Sequence, residues 1–141
     1  MAYDFQVTID STAPHPLADW WAETLGWQRE PTDEAFIRRM VEEGHAAEEE
    51  TMRHDGELVW VTGAAIRHPT GAAPRVLFQL VPEPKTGKNR VHLDVRVGAE
   101  QVDAEVARLT ARGATVLHHG QQGPYSWVTI ADPEGNELCL T

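Results

Sequence analysis

The sequence predicts an α+β fold of two βαβββ modules, the first carrying a helical insertion. Three observations lead there. Runs with strand alternation and runs with helical spacing recur in one order in each half of the chain: strand, helix, strand, strand, strand. Two helix-stopping glycines, Gly26 and Gly113, occupy matching places, as do Gln6 and His92 on the opening strands. Finally, Ile66-Arg67-His68-Pro69-Thr70-Gly71 echoes Ile130-Ala131-Asp132-Pro133-Glu134-Gly135, each ending a strand in x-Pro-x-Gly before another strand. The interval between matched positions shortens along the chain by about 23 residues, so the first module holds that much extra sequence, between residues 30 and 60. Module 1 is placed at about 1–82 with its insertion at about 31–56, and module 2 at about 88–141, within one domain.

Each element has a local reason. Phe5, Val7 and Ile9 alternate with Gln6 and Thr8, the pattern of a half-buried strand. From about Pro14 to Leu25 a helix is expected, with Leu17, Trp21 and Leu25 on one face and Gly26 as its stop. Trp27-Gln28-Arg29 starts a second extended segment. Residues 33 to 43 read as the insertion helix, with Phe36, Ile37 and Met40 on its apolar side, and Glu48-Glu49-Glu50 as a solvated loop or helix end. Asp55-Gly56 is a turn signal, followed by β-rich runs at Glu57–Val61, Ala64–Arg67 and Arg75–Val81. The run Pro82 to Gly87 reads as a connector. Beyond it come a strand at Arg90–Val97, a helix at about Glu100–Arg112, and strands at Ala114–Leu117, Ser126–Ile130 and Glu137–Leu140.

Composition bounds the function. A net charge of −10 argues against nucleic acid or an anionic membrane surface as a partner. One cysteine cannot close an internal disulfide and suits a reducing compartment. No basic-then-apolar leader opens the chain, so a cytoplasmic protein is expected.

Several quoted pieces resemble one family. They are Ile9-Asp10, Ala13-Pro14, Leu17-Ala18-Asp19-Trp20-Trp21 and Leu25-Gly26-Trp27, then Val91-His92-Leu93-Asp94-Val95 and Asp132-Pro133-Glu134-Gly135-Asn136-Glu137-Leu138-Cys139-Leu140. In these the chain is similar to a glyoxalase-like domain of the vicinal oxygen chelate superfamily, which includes bleomycin-resistance proteins and extradiol dioxygenases. The resemblance implies modules whose sheets curl into a cupped, open mixed-sheet barrel around one site, and it makes homodimers an expectation. It also implies that metal-using relatives hold a divalent cation with one side chain from the first and last strand of each module. The matching positions here are Gln6, Gln79, His92 and Cys139.

Strand parity directs these four side chains away from the helix-packed faces. A hard cation wants imidazole and carboxylate donors, and the resemblance implies glutamate where Gln79 and Cys139 stand. No metal cofactor is therefore expected. His92 is the candidate general base, with Asp94 two residues on as its orienting carboxylate unless Arg96 neutralises it. The pocket is predicted from Gln6, Gln79, His92, Asp94, Cys139, Trp60 and Trp127, with Trp20, Trp27 and Tyr125 as further aromatic candidates. His118-His119 reads as a solvated pair, and His68 as a turn residue. Three functions follow: a small-molecule-binding protein without a metal, a metal-dependent lyase, isomerase or dioxygenase, or, as a weaker third, a metal-free enzyme with His92 as general base. Whether the chain is an enzyme is left open.

Overall fold

The alternating run that begins the chain forms β1, Val7–Ser11, because Val7 and Ile9 find apolar partners across the ladder. In the computed structural model, which describes residues 1–141, β1 pairs in parallel with β6, Val76–Leu80. Opposite Val7 and Ile9 lie Val76 and Phe78, and these buried residues face helix α1, Pro14–Leu25. Pro14 opens that helix where a missing N–H costs nothing, and Gly26 closes it at φ 67°, a left-handed conformation that suits glycine. Leu17 and Trp21 are buried, and Trp21 meets the Phe78 ring at 6.5 Å. Two further strands, β2 (Gln28–Arg29) and β5 (Gly63–Arg67), complete a four-stranded sheet in the order β1-β6-β5-β2.

The insertion departs from that sheet after β2. It holds α2 (Glu34–Glu42), a 3-10 turn at Glu48–Glu50, and a hairpin of β3 (Thr51–His54) and β4 (Glu57–Trp60). Two expectations change here. The run at Glu57–Val61 does not join the module's sheet but pairs with β3, a strand that the sequence reading did not include. The hairpin forms because Asp55 and Gly56 both take positive φ (48° and 83°), as a tight right-twisting turn requires. On α2, Ile37 is buried and Met40 half-buried, whereas Phe36 stays exposed beneath the Arg39 guanidinium.

Residues Met1–Glu83 form one compact unit and Pro84–Thr141 a second. The second repeats the plan: β7 (Leu93–Val95), a 3-10 turn, α3 (Val102–Ala111), β8 (Thr115–Gln122), β9 (Tyr125–Ala131) and β10 (Glu137–Leu140). Its sheet runs β7-β10-β9-β8, again with the first and last strands parallel and the other pairs antiparallel. Leu109 of α3 is buried with Val128, Ile130, Leu138 and Leu140 of the sheet it packs against. The two open mixed sheets and three α-helices are the α+β class expected. The strand foreseen at Arg90–Val97 is cut to three residues, because β10 offers partners only from Leu93 onwards; Val91 is left exposed. No helix is long and apolar enough to cross a membrane.

Candidate functional site

In the second unit, parity gathers polar groups on the sheet face away from α3. Leu93 and Val95 stand opposite Leu138 and Leu140 on the packed face, so His92, Asp94 and Cys139 share the other. His92 Nδ1 lies 3.0 Å from Asp94 Oδ1. Only the imidazole can donate there, since an ionised carboxylate has no proton to give. Asp94 is thus tied to His92 rather than to Arg96, and it fixes the Nδ1–H tautomer, leaving Nε2 as an acceptor. Cys139 is buried, 3.3 Å from Thr129 Oγ1 and 3.9 Å from His92 Nδ1. Trp127 falls two residues from Thr129 on the same strand face, half-buried, its indole lying where a side chain at the facing Gly120 would be. Tyr125, near the tip of the β8–β9 hairpin, is exposed, as are His118 and His119.

The connector before β7 is anchored, not slack. Lys88 Nζ donates to Glu137 Oε1 at 2.8 Å, and the Asn89 backbone N–H donates to Glu137 Oε2 at 2.5 Å. The Lys88 ammonium and then the Asn89 amide hold the Glu137 carboxyl below its ordinary range. These bonds set where the chain enters β7, and hence where His92 stands.

In the first unit, Gln6 precedes β1 and is exposed, its Oε1 accepting from Arg75 at 3.1 Å. Gln79 is also exposed and stands opposite Asp10, not opposite Gln6. A guanidinium already on the amide oxygen opposes a cation there. As a four-position metal set, then, these residues do not fit: two are neutral amides and one amide is engaged by a positive charge. A narrower set is better matched, because His92, Asp94 and Cys139 bring one nitrogen, one oxygen and one sulfur within 4.8 Å of one another. Those donors suit zinc more than magnesium or manganese. Trp20, a candidate pocket residue, is instead core, buried edge-on to Trp21 at 5.6 Å. Trp27 packs edge-on to His68, whose Nδ1 accepts from Thr70 within the turn.

One cluster was not foreseen. His15 and Asp19 of α1, Arg29 of β2 and His54 of β3 interlock. His15 Nε2 lies 2.7 Å from the Trp60 carbonyl and Nδ1 lies 2.9 Å from Arg29 NH2. A carbonyl only accepts and a guanidinium only donates, so His15 is the neutral Nε2–H tautomer. Burial lowers its pKa below 6.5, outweighing the Trp60 bond, and Arg29 and His54 push the same way. Asp19 accepts from Arg29 through Oδ1 and from His54 Nε2, at 2.5 Å, through Oδ2. Asp19, His54 and Asp55 also cluster within 4.8 Å, but the Arg29 guanidinium on Asp19 works against a metal there. The available signal was the spacing of His15 and Asp19, four apart on one helix, which places both on one face.

Comparison with known proteins agrees with the architecture. A glyoxalase-like domain model matches residues 6–141. Among solved structures, protein ATC0852 from Agrobacterium tumefaciens superposes with a TM-score of 0.65 at 15% identity, over 99% of this chain and 96% of its own. A mutant of the fosfomycin resistance protein FosX from Listeria monocytogenes, complexed with Mn(II) and 1S,2S-dihydroxypropylphosphonic acid, gives 0.66 at 8% identity over 99% and 91%. FosX from Mesorhizobium loti gives 0.61 at 8% identity over 99% and 90%. At such identities the likeness shows the fold alone. No curated protein matches the chain by sequence. The family model spans nearly the whole length and both units carry the same strand order, so the chain belongs to the glyoxalase-like domain family.

Proposed function

We propose that this glyoxalase-like protein binds a small molecule on the polar face of β7, β10 and β9, with His92 as its polar anchor and no catalytic metal. The observation that carries this reading is the His92–Asp94 pair at 3.0 Å, which presents Nε2 as an oriented acceptor on the strand face it shares with Cys139. Trp127, on that face of β9, offers an aromatic wall. Imidazole plus indole suits an aromatic or conjugated ligand with one hydroxyl to donate. The superfamily's drug-binding members and the acceptor His92 together favour binding over turnover. A single cysteine suits a cytoplasmic setting, and homodimer formation is part of the same reading.

Elemental analysis of untagged protein, paired with thermal-shift titration of bleomycin and a set of phenols, tests the proposal. The expected result is substoichiometric metal and a ligand-induced shift that His92→Ala abolishes. A shift unchanged in His92→Ala would sink the assignment of the site.

A second reading rests on the nitrogen, oxygen and sulfur donors of His92, Asp94 and Cys139, which together could hold zinc. Stoichiometric zinc, lost in both Asp94→Asn and Cys139→Ser, would replace the metal-free reading with this one. FosX from Listeria, which shares the fold, was seen with Mn(II). The thiolate here points to a softer ion.

A further inference from the structure

A cavity of about 430 Å³ lies in the second unit, where the connector passes the turn that joins β9 to β10. Lys85, Gly87 and Lys88 of the connector, Leu117 of β8, Ala131 of β9 and Glu137 of β10 line it. None of His92, Asp94, Cys139 and Trp127 does. The volume falls within the roughly 300–1,000 Å³ of small-molecule sites.

Lys85 is the informative residue. Its stem lies over Gly135, close enough that a Cβ added there would meet its Cγ at 3.5 Å. Gly87, at φ 71°, turns the connector back, and its carbonyl accepts from Lys85 Nζ at 2.5 Å. Lys85 is thereby half-buried, and its ammonium is held by a neutral oxygen instead of a carboxylate. A lysine ordinarily extends its head into water. In a chain with 22 acidic and 12 basic residues, a cation turned into a cavity without a carboxylate is out of pattern.

Lys88 completes the charge. Its ammonium donates to Glu137 Oε1 at 2.8 Å while its side chain stays 66% exposed, so its other N–H groups are open to a ligand. Each Glu137 oxygen already accepts a bond, the second from the Asn89 N–H. Two ammonium groups and one satisfied carboxylate leave one positive charge in excess, with spare donors on both lysines. That excess suits a monoanion, since a second negative charge would face Glu137 unpaired. Leu117, 49% exposed, and Ala131 present methyl groups to the same cavity, so the anion should carry hydrocarbon. A carboxylate on a short chain meets both demands. Inorganic phosphate, more highly charged and without carbon, meets neither.

We propose that this cavity binds a short-chain monocarboxylate, its carboxylate on the Lys85 and Lys88 ammonium groups and its chain against Leu117. The site does not depend on what the β7–β10–β9 face binds. Because both ammonium groups are anchored before the ligand arrives, little ordering is needed on binding.

Hexanoate is a suitable probe, followed in the full-length chain by 13C-edited NMR of the Leu117 and Ala131 methyl groups. Both sets of resonances should shift saturably with hexanoate and barely move with hexanol, and inorganic phosphate should bind more weakly. Raising ionic strength from about 10 mM to about 150 mM should weaken hexanoate binding several-fold. Lys85→Met keeps a stem over Gly135 but removes the charge, and it should lose about tenfold in affinity. Leu117→Asp sets a negative charge at an exposed position without touching the lysine contacts, and it should abolish binding even if the Lys85 variant folds poorly. His92→Ala should leave hexanoate affinity unchanged. No saturable shift, tighter binding of phosphate or hexanol, or affinity retained in Leu117→Asp would each overturn the proposal. Hexanoate binding lost in His92→Ala would put the carboxylate on the β7–β10–β9 face instead, and would overturn it as well.

Discussion

His15 is held neutral by a carbonyl on one ring nitrogen and a guanidinium on the other. Protonation would set a donor against Arg29 and add charge to a buried pocket. Because its folded pKa is lowered, the unfolded chain takes up a proton near 6.5 that the folded chain resists. Stability from this group is therefore fully present above 6.5 and is lost as pH falls towards the folded value. Denaturant titrations at about pH 7 and about pH 5 should show a larger loss for the wild type than for His15→Gln, which has no proton to gain. A second single-residue expectation concerns Gly120. A Cβ there would run into the Trp127 indole, so Gly120→Ala should cost about 1–3 kcal/mol and shift tryptophan emission. The His92–Asp94 pair and the His15 cluster differed in how far the sequence revealed them. His92 and Asp94 were legible because two-residue strand spacing alone puts them on one face. The His15 cluster was not, because its partners come from three elements brought together only by the fold.

At the level of elements, the β3–β4 hairpin is tied to α1 by few bonds: His54 to Asp19, and the Trp60 carbonyl to His15. Asp19 also holds Arg29, so one carboxylate links α1, β2 and β3. Asp19→Ala should destabilise the protein by about 1 kcal/mol, discounted because the carboxylate is partly exposed. Hydrogen exchange should quicken in β3 and β4 while the β5–β6 ladder keeps its protection. Exchange rising equally in both would show that the hairpin does not open separately. Helix α1 and strand β10 were legible to the residue, since Pro14, Gly26 and the Asp132–Gly135 turn mark their edges locally. Strand β3 was hidden because Thr51-Met52-Arg53-His54 shows no apolar alternation and leaves its two central residues exposed. Only its partner across the Asp55-Gly56 turn makes it a strand.

For the molecule as a whole, the excess of acidic residues sets a repulsive background, with a net charge of −10. Raising ionic strength from about 10 mM to about 150 mM should increase the melting temperature, because screening relieves more repulsion than it weakens surface ion pairs. A fall would mean that pairs such as Lys88–Glu137 outweigh it. The duplicated plan was legible from matched turns because Ile66 to Gly71 and Ile130 to Gly135 solve one problem twice, ending a strand beside the last strand of its unit. The duplication has a further consequence for how such a chain diversifies. Strands β2 and β5 correspond to β8 and β9, yet the first pair is joined through the whole insertion and the second by Gly123 and Pro124 alone. One unit joins this pair of strands by a tight hairpin, and the other joins it through a helix and a two-stranded ribbon. The tip at Gly123-Pro124 is therefore the natural graft point, where an engineer could transplant the insertion and ask whether the second unit tolerates what the first one carries.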